Sequence, residues 1–205
     1  MNLVIGSSDI NHLMMKKETS GFKDLLRKFL SDVKPNYNAL ASSIDACRTG
    51  AILEQRYADI LPDGYYSQYK VTSGDMNVLT STLDFALLSD GNVVDFDELK
   101  TLHLYDFLEV IEPLRDEFED DYLPVIKKQF KSYYNQVQAQ LFCANIQSAN
   151  LVFLAVDSYD DEKNYNRIIQ PNDYVKFRIF RDDKTINDIK ERAMLFQTIK
   201  DYFKN

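Results

Sequence analysis

The chain of 205 residues has no tryptophan, two cysteines, two histidines, and 24 basic residues against 32 acidic ones. Each shortage narrows what the protein can be. Cys47 and Cys143 lie far apart, without the close spacing of a metal site or the density of a disulfide scaffold. A reduced, cytoplasmic protein is therefore expected. His12 and His103 stand alone and read as surface or satisfied residues rather than ligands. No Ser-His-Asp or Cys-His arrangement is apparent, and there is no P-loop. No apolar run approaches the ~18 residues needed to span a bilayer. The N-terminal MNLVIGSSDI lacks the basic lead and long apolar core of a signal peptide. The net charge of −8 argues against a broad nucleic-acid surface, because non-specific DNA binding is mostly neutralisation of phosphates by Lys and Arg. A protein of this charge that acts on DNA must confine its basic residues to a channel, or bridge phosphates through metal ions. The missing tryptophan, against 13 Tyr and 13 Phe, has no physical account.

What remains is globular: 45% of residues are hydrophobic, and the length suits one domain over 1–205 with a sizeable core. Ser7, Ser8 and Asp9 offer an N-cap to a helix from Ile10. Phe22, Leu25, Leu26, Phe29 and Leu30 recur at helical spacing and predict an amphipathic helix that Pro35 follows. Ser42 to Leu61 reads as another helix, with Ile44, Cys47, Ala51, Tyr57 and Ile60 on its buried side. It places Gly50 and Glu54 on one face, and a glycine there calls for a packing or access reason. Tyr65 to Thr72 is a candidate strand. Leu102 to Glu112 reads as loop or helix. Glu109 to Gln140 is helical in pattern, interrupted by Pro113 and Pro124, and its acidic run from Glu117 to Asp121 reads as a solvated face. Asn150 to Asp157 is a buried strand, Ser158 to Asp173 a loop, and Asp173 to Arg181 an alternating strand. A final helix from Thr185 carries Ile186, Ile189, Ala193, Leu195, Phe196, Ile199 and Phe203 as its stripe. The order predicts an α/β (α+β) fold with a central mixed β-sheet flanked by helices.

The chemistry concentrates in TSTLDFALLSDGNVVDFDELKT, Thr80 to Thr101. Asp90-Gly91 between two β-rich runs is a strong hairpin signal. Alternation along the second strand turns Glu98 and Lys100 one way and Asp95, Asp97 and Leu99 the other, so Asp95 and Asp97 are expected behind the site or in solvent. Asp84 on the first strand can lie alongside Glu98 and Lys100. Two carboxylates beside an ammonium suit metal-assisted phosphodiester hydrolysis: a hard divalent cation takes oxygen ligands, and a lysine can orient or deprotonate the attacking water. An acid two residues before a lysine is common by chance, and the bland alternative is a cross-strand ion pair on an exposed strand.

Glu54, Asp84 and Glu98-x-Lys100, in this order, resemble the PD-(D/E)XK nuclease superfamily. More narrowly, the chain resembles the YqaJ-like viral recombinase and lambda exonuclease family. The Gly6-Ser7-Ser8-Asp9-Ile10 start, Gly50-x-x-x-Glu54, Tyr134-Asn135-Gln136-Val137-Gln138-x-Gln140-Leu141 with the strand after it, and Tyr174 to Asp182 with the terminal helix agree along nearly the whole chain. The resemblance implies a restriction-endonuclease-like core. It implies Mg²⁺ or Mn²⁺ on Asp84, Glu98 and the Leu99 carbonyl, with Glu54 completing the acidic cluster, Lys100 acting on the water and Gln136 positioned beside the site. It further implies contacts to DNA or its terminal phosphate from Ser8, Arg48, Tyr134 and Gln140. The superfamily's Pro-Asp-Gly is Leu83-Asp84-Phe85 here. The arginine that precedes the family's first helix has no counterpart, and Arg48 or Arg27 is the candidate to replace it. The implied function is a metal-dependent, 5′-to-3′ exonuclease of linear double-stranded DNA, phage- or prophage-encoded. It would be a homo-oligomer, a trimer by resemblance, working in recombination with a single-strand annealing protein and without a membrane. The alternatives are an endonuclease of the same superfamily and a non-catalytic DNA-binding or interaction module on this fold.

Overall fold

The computed structural model describes residues 4–31 and 41–204, the side chains of 31, 41–44, 203 and 204 excepted. Pro35 lies outside these residues, as do the side chains of Ile44 and Phe203. In chain order the elements are β1 (Ile5–Gly6), a 3-10 turn (Ser7–Asp9), α1 (Ile10–Leu13), α2 (Ser20–Ser31), α3 (Ala41–Ala58), β2 (Tyr65–Thr72), β3 (Leu79–Ser89), β4 (Asn92–His103), α4 (Leu104–Asp106), α5 (Glu119–Gln129), α6 (Lys131–Ala144), β5 (Ser148–Val156), α7 (Asp161–Tyr165), β6 (Tyr174–Phe180) and α8 (Asp183–Lys204). Between α4 and α5, Phe107–Ile111 winds as a π-helix and Glu112–Leu114 as a 3-10 turn.

The sheet is mixed, as the sequence predicts. β3 is antiparallel to β2 and β4, β4 is parallel to β5, and β6 closes antiparallel on β5. The hairpin turn takes positive φ at Asp90 (51°) and Gly91 (78°), the backbone a tight two-residue hairpin requires. The parallel β4–β5 pair needs a crossover, which α5 and α6 supply. Helices cover both faces. On one, α5 and α6 pack over Phe96, Leu151, Phe153 and Phe177. On the other, Leu53 and Tyr57 of α3 pack over Phe85, Leu99, Val152 and Leu154. A further cluster joins α1, α2 and α8 to the end of α6 through Phe22, Phe29, Ile189 and Phe196.

Several expectations are corrected. The buried side of α3 is Thr49, Ile52, Leu53 and Tyr57, whereas Cys47, Ala51 and Ile60 are exposed. Leu195, at 39% exposure, leaves the α8 stripe. Pro124 does not interrupt α5; it sits on the exposed side, and the chain breaks instead at Phe130 (φ −118°, ψ 35°). The expected loop from Ser158 contains α7, capped by the Asp160 carboxylate, which accepts from the Glu162 N–H at 2.9 Å. Ser8 and Asp9 do not cap α1 through their side chains: the turn begins at Ser7, and Asp9 pairs with Lys28 at 2.8 Å.

Candidate active site

The site forms where β3 and β4 part. Their ladder runs from the turn to Phe85 opposite Asp97. Beyond that, β4 pairs with β5, and β3 with β2 and β1. The opened seam leaves strand donors without strand acceptors, and the Asp84 carboxylate takes one, the Leu99 N–H, at 2.9 Å. β3 also twists here. Leu83 and Phe85 belong to apolar clusters on opposite faces of the sheet, and Gln68 of β2, between the pairs Ser67–Phe85 and Tyr69–Leu83, has φ 55°. Asp84 thereby lines a cleft of about 440 Å³ between the sheet and α3, shared with Glu54, Gly50, Lys100 and Tyr133. A Cβ added at Gly50 would meet Thr101 Oγ1 at 3.7 Å, an ordinary contact, so this glycine keeps the cleft open rather than serving close packing.

Glu98 is 1% exposed, and both its oxygens are held. One accepts from Lys100 Nζ and from Gln136 Nε2, each at 2.5 Å; the other accepts from Gln140 Nε2. Gln140 also donates to the Thr82 carbonyl at 3.3 Å, and its own buried carbonyl oxygen has no partner. Lys100 Nζ lies 5.4 Å from the Tyr133 ring centre. Glu54 accepts from the Gln68 amide.

The electrostatics follow from three acids and one lysine in a half-buried cleft. Burial, then Glu98 and Glu54, push the Asp84 carboxyl up to about 8 against the pull of Lys100 and the Leu99 N–H. Burial also raises Glu54, opposed by its Gln68 bond and reinforced by Glu98. Lys100 is depressed by burial but raised further by Glu98 and Asp84, so it holds its proton more tightly than an exposed lysine. Among the described residues, no three His, Cys, Asp or Glu side chains gather closely enough to hold a metal alone. Asp84 and Glu98 leave a pair of carboxylates, oxygen donors only. That donor chemistry suits a hard cation that keeps several waters, Mg²⁺ or Mn²⁺, and the excess of negative charge suits it equally.

Glu54, Asp84, Glu98, Lys100 and Gln136, singled out from sequence, therefore converge. The remaining candidates do not contact the cleft as expected. Tyr134 is 4% exposed and donates its hydroxyl to Asp182 at 2.9 Å; it is a core residue, closed to DNA. Gln140, fully buried, is an anchor for Glu98 rather than a DNA contact. Arg48 is engaged by Asp161 at 2.8 Å and Asp45 at 3.3 Å, and Arg27 by Asp24 at 2.7 Å. Ser8 is exposed on a three-residue turn away from the cleft lining. Asp95 and Asp97 face away from Glu98 and Lys100, with Asp97 fully buried behind the site on the Tyr57 hydroxyl. The sequence reading missed Tyr133 and Gln68. Tyr133, three residues before Gln136, was findable from the same helical spacing; the positive φ that brings Gln68 to Glu54 left no sequence signal.

No protein-family model matches the chain, and no curated protein matches it in sequence. Solved structures do match in shape. LHK-Exo, an alkaline exonuclease from Laribacter hongkongensis, crystallised with dAMP, superposes with a TM-score of 0.64 at 17% identity, over 99% of this chain and 92% of that one. A second LHK-Exo structure gives 0.63 at 17% identity, over 99% and 93%. A phage-related exonuclease from Haemophilus somnus 129PT gives 0.61 at 17% identity, over 99% and 96%. The chain has the mixed α/β fold of these exonucleases across nearly its whole length.

Proposed function

We propose that the protein is a metal-dependent DNA exonuclease that hydrolyses phosphodiester bonds of linear double-stranded DNA from the 5′ end. The observation that carries this reading is the convergence of Glu54, Asp84 and Lys100 on one cleft, with Glu98 clamped by two glutamines beside them. The fold shared with exonucleases supports it. LHK-Exo was crystallised with dAMP, and a mononucleotide is what such an enzyme would release here. In this reading Asp84, Glu98 and the Leu99 carbonyl hold Mg²⁺ or Mn²⁺. The ion, when bound, supplies an activated water and relieves charge at the phosphate. Gln136 and Gln140 fix the Glu98 carboxylate. Lys100, beside it, orients the water and stabilises the negative charge that develops on the phosphate oxygens. Glu54 adds its charge from α3. A phage or prophage origin, a role in recombination beside a single-strand annealing protein, and a ring-shaped homotrimer with a basic lumen complete the proposal.

The test is purified protein on linear duplexes with 5′- or 3′-phosphate ends and on closed circular DNA, with Mg²⁺ or with EDTA. Degradation of linear DNA alone, faster from a 5′-phosphate and abolished by EDTA, is expected. Nicking of circles would make the protein an endonuclease of the same chemistry, and no metal-dependent cleavage at all would leave only a binding module. Lys100→Ala should lower kcat by ~10²-fold or more, as removal of a transition-state donor does.

A further inference from the structure

Behind Glu98 and Lys100, on the face of β4 that meets α3, lies a buried charged network that hydrolysis does not use. Asp97 is fully buried. One of its oxygens accepts from the Tyr57 hydroxyl and from Lys176 Nζ, each at 2.7 Å; the other accepts from Asn150 Nδ2 at 2.7 Å. Lys176 also stands 5.5 Å from the Tyr57 ring centre. Four elements, α3, β4, β5 and β6, thus meet on one carboxylate. A buried ion pair is a weak source of stability compared with apolar residues of the same volume, so register is the better account of these directional bonds.

The register in question is that of the site. Asp97 immediately precedes Glu98, and Tyr57 follows Glu54 by less than one turn of α3. The α3 face toward the cleft carries Ala46, Cys47, Gly50 and Ala51, and the start of the helix is tied to α7 by Arg48 and Asp161 at 2.8 Å. Its apolar grip on the sheet is Leu53 and Tyr57. We propose that the Tyr57–Asp97 hydrogen bond is a positioning latch that fixes α3, and with it Glu54, against Asp84 and Lys100. Tyr57 touches no reacting group; it acts through Glu54. The inference rests on the nuclease reading above.

Tyr57→Phe tests it, because the ring and its contacts with Phe85 (5.3 Å) and Tyr174 (5.5 Å) are kept and only the hydroxyl is lost. Asp97→Asn is the second variant. For the full chain, kcat and KM on linear duplex, Mn²⁺ affinity by calorimetry, and Tm are measured. Tyr57→Phe should lower kcat ~10-fold and weaken Mn²⁺ binding several-fold, with KM for DNA within ~2-fold, at temperatures well below Tm. In a Glu54→Gln background it should change kcat less than ~2-fold, because coupled residues are non-additive. A lower Tm with wild-type kcat and Mn²⁺ affinity in both variants would make the network purely structural and overturn the latch. So would a full additional loss in the Glu54→Gln background. A wild-type chain that neither binds Mn²⁺ nor cleaves DNA would instead overturn the nuclease reading, and the latch with it.

Discussion

Asp84 is a residue at odds with its surroundings, and the conflict has measurable consequences. Burial and the Glu98 charge push its carboxyl up to about 8, whereas an aspartate in the unfolded chain ionises near ~4. Between those limits the folded protein keeps a proton that the unfolded chain has released. The stability of the metal-free protein should therefore fall as pH rises from ~4 to ~8 and level off above that. Asp84→Asn removes the titration and keeps an oxygen for the Leu99 N–H. We expect it to raise Tm by a few degrees at pH 8–9 without metal, to flatten the fall in stability between pH ~4 and ~8, and to abolish metal-dependent cleavage. A lower Tm than wild type at pH 8.5 would mean that Asp84 is not under this strain. Gln140 poses the complementary case. Its amide holds Glu98 while its carbonyl oxygen is buried without a partner, so Gln140→Leu deletes an orphan acceptor along with a useful donor. The two contributions oppose each other. Stability should change by less than ~1 kcal/mol in chemical denaturation, while kcat falls ~10-fold because Glu98 loses one of its three donors. A large stability loss with full activity would reverse that assignment.

Among elements, the junction between β6 and α8 shows how the core helix α6 fixes structure outside the site. Gln138, fully buried, donates to the Phe180 carbonyl at 2.8 Å and accepts from the Asp182 N–H at 2.8 Å. The Asp182 carboxylate then caps α8 by accepting from the Thr185 N–H at 3.2 Å and also takes the Tyr134 hydroxyl. Partial burial works to raise this carboxyl, but the bonds from Thr185, Tyr134 and Lys127 outweigh it and hold it down at about 2. Its contribution is present above the unfolded value near ~4 and is lost as pH falls through ~2. Asp182→Ala should cost ~1–3 kcal/mol, from the lost cap and the orphaned Tyr134 hydroxyl. That corresponds to a Tm drop of roughly 2–12 °C for a chain of this size, with kcat retained below the transition.

The hairpin was legible in the sequence because Asp90-Gly91 has few backbone options and period-two alternation holds along β4; along β3 it breaks beside Asp84, so there only the pairing of the two strands could be read. The acids at Asp84 and Glu98 followed from it. Tyr134 was misread because Tyr133 and Tyr134 are adjacent aromatics about 100° apart on a helix; only the neighbouring elements decide that Tyr133 meets Lys100 while Tyr134 meets Asp182. The buried side of α3 was misread because Cys47 and Ala51 are apolar in type but line a cleft, and small apolar residues look alike in a core and at a cavity wall. Pro124 is tolerated because a single missing N–H on an exposed helix face leaves the freed carbonyl to solvent.

For the whole molecule, a net charge of −8 has to be reconciled with a polyanionic substrate. A phosphate entering the cleft meets Glu54 and Glu98, joined by Asp84 as it ionises toward pH 8, against the ammonium of Lys100, which Glu98 already engages at 2.5 Å. The local field therefore repels DNA unless a divalent cation changes its sign. Binding of duplex, and not only its cleavage, should depend on that cation. The slowed Lys100→Ala variant allows this to be measured by fluorescence anisotropy before appreciable cleavage. With Mg²⁺ at ~0.15 M salt, a linear duplex should bind at least ~10-fold more tightly than in EDTA. The affinity should also fall less steeply with monovalent salt than it does for proteins that make 6–10 direct Lys or Arg contacts to phosphate. Equal affinity in Mg²⁺ and EDTA, with a steep salt dependence, would mean that a basic surface rather than the acidic cleft holds the DNA. The site would then act on a substrate already bound elsewhere on the molecule or its oligomer.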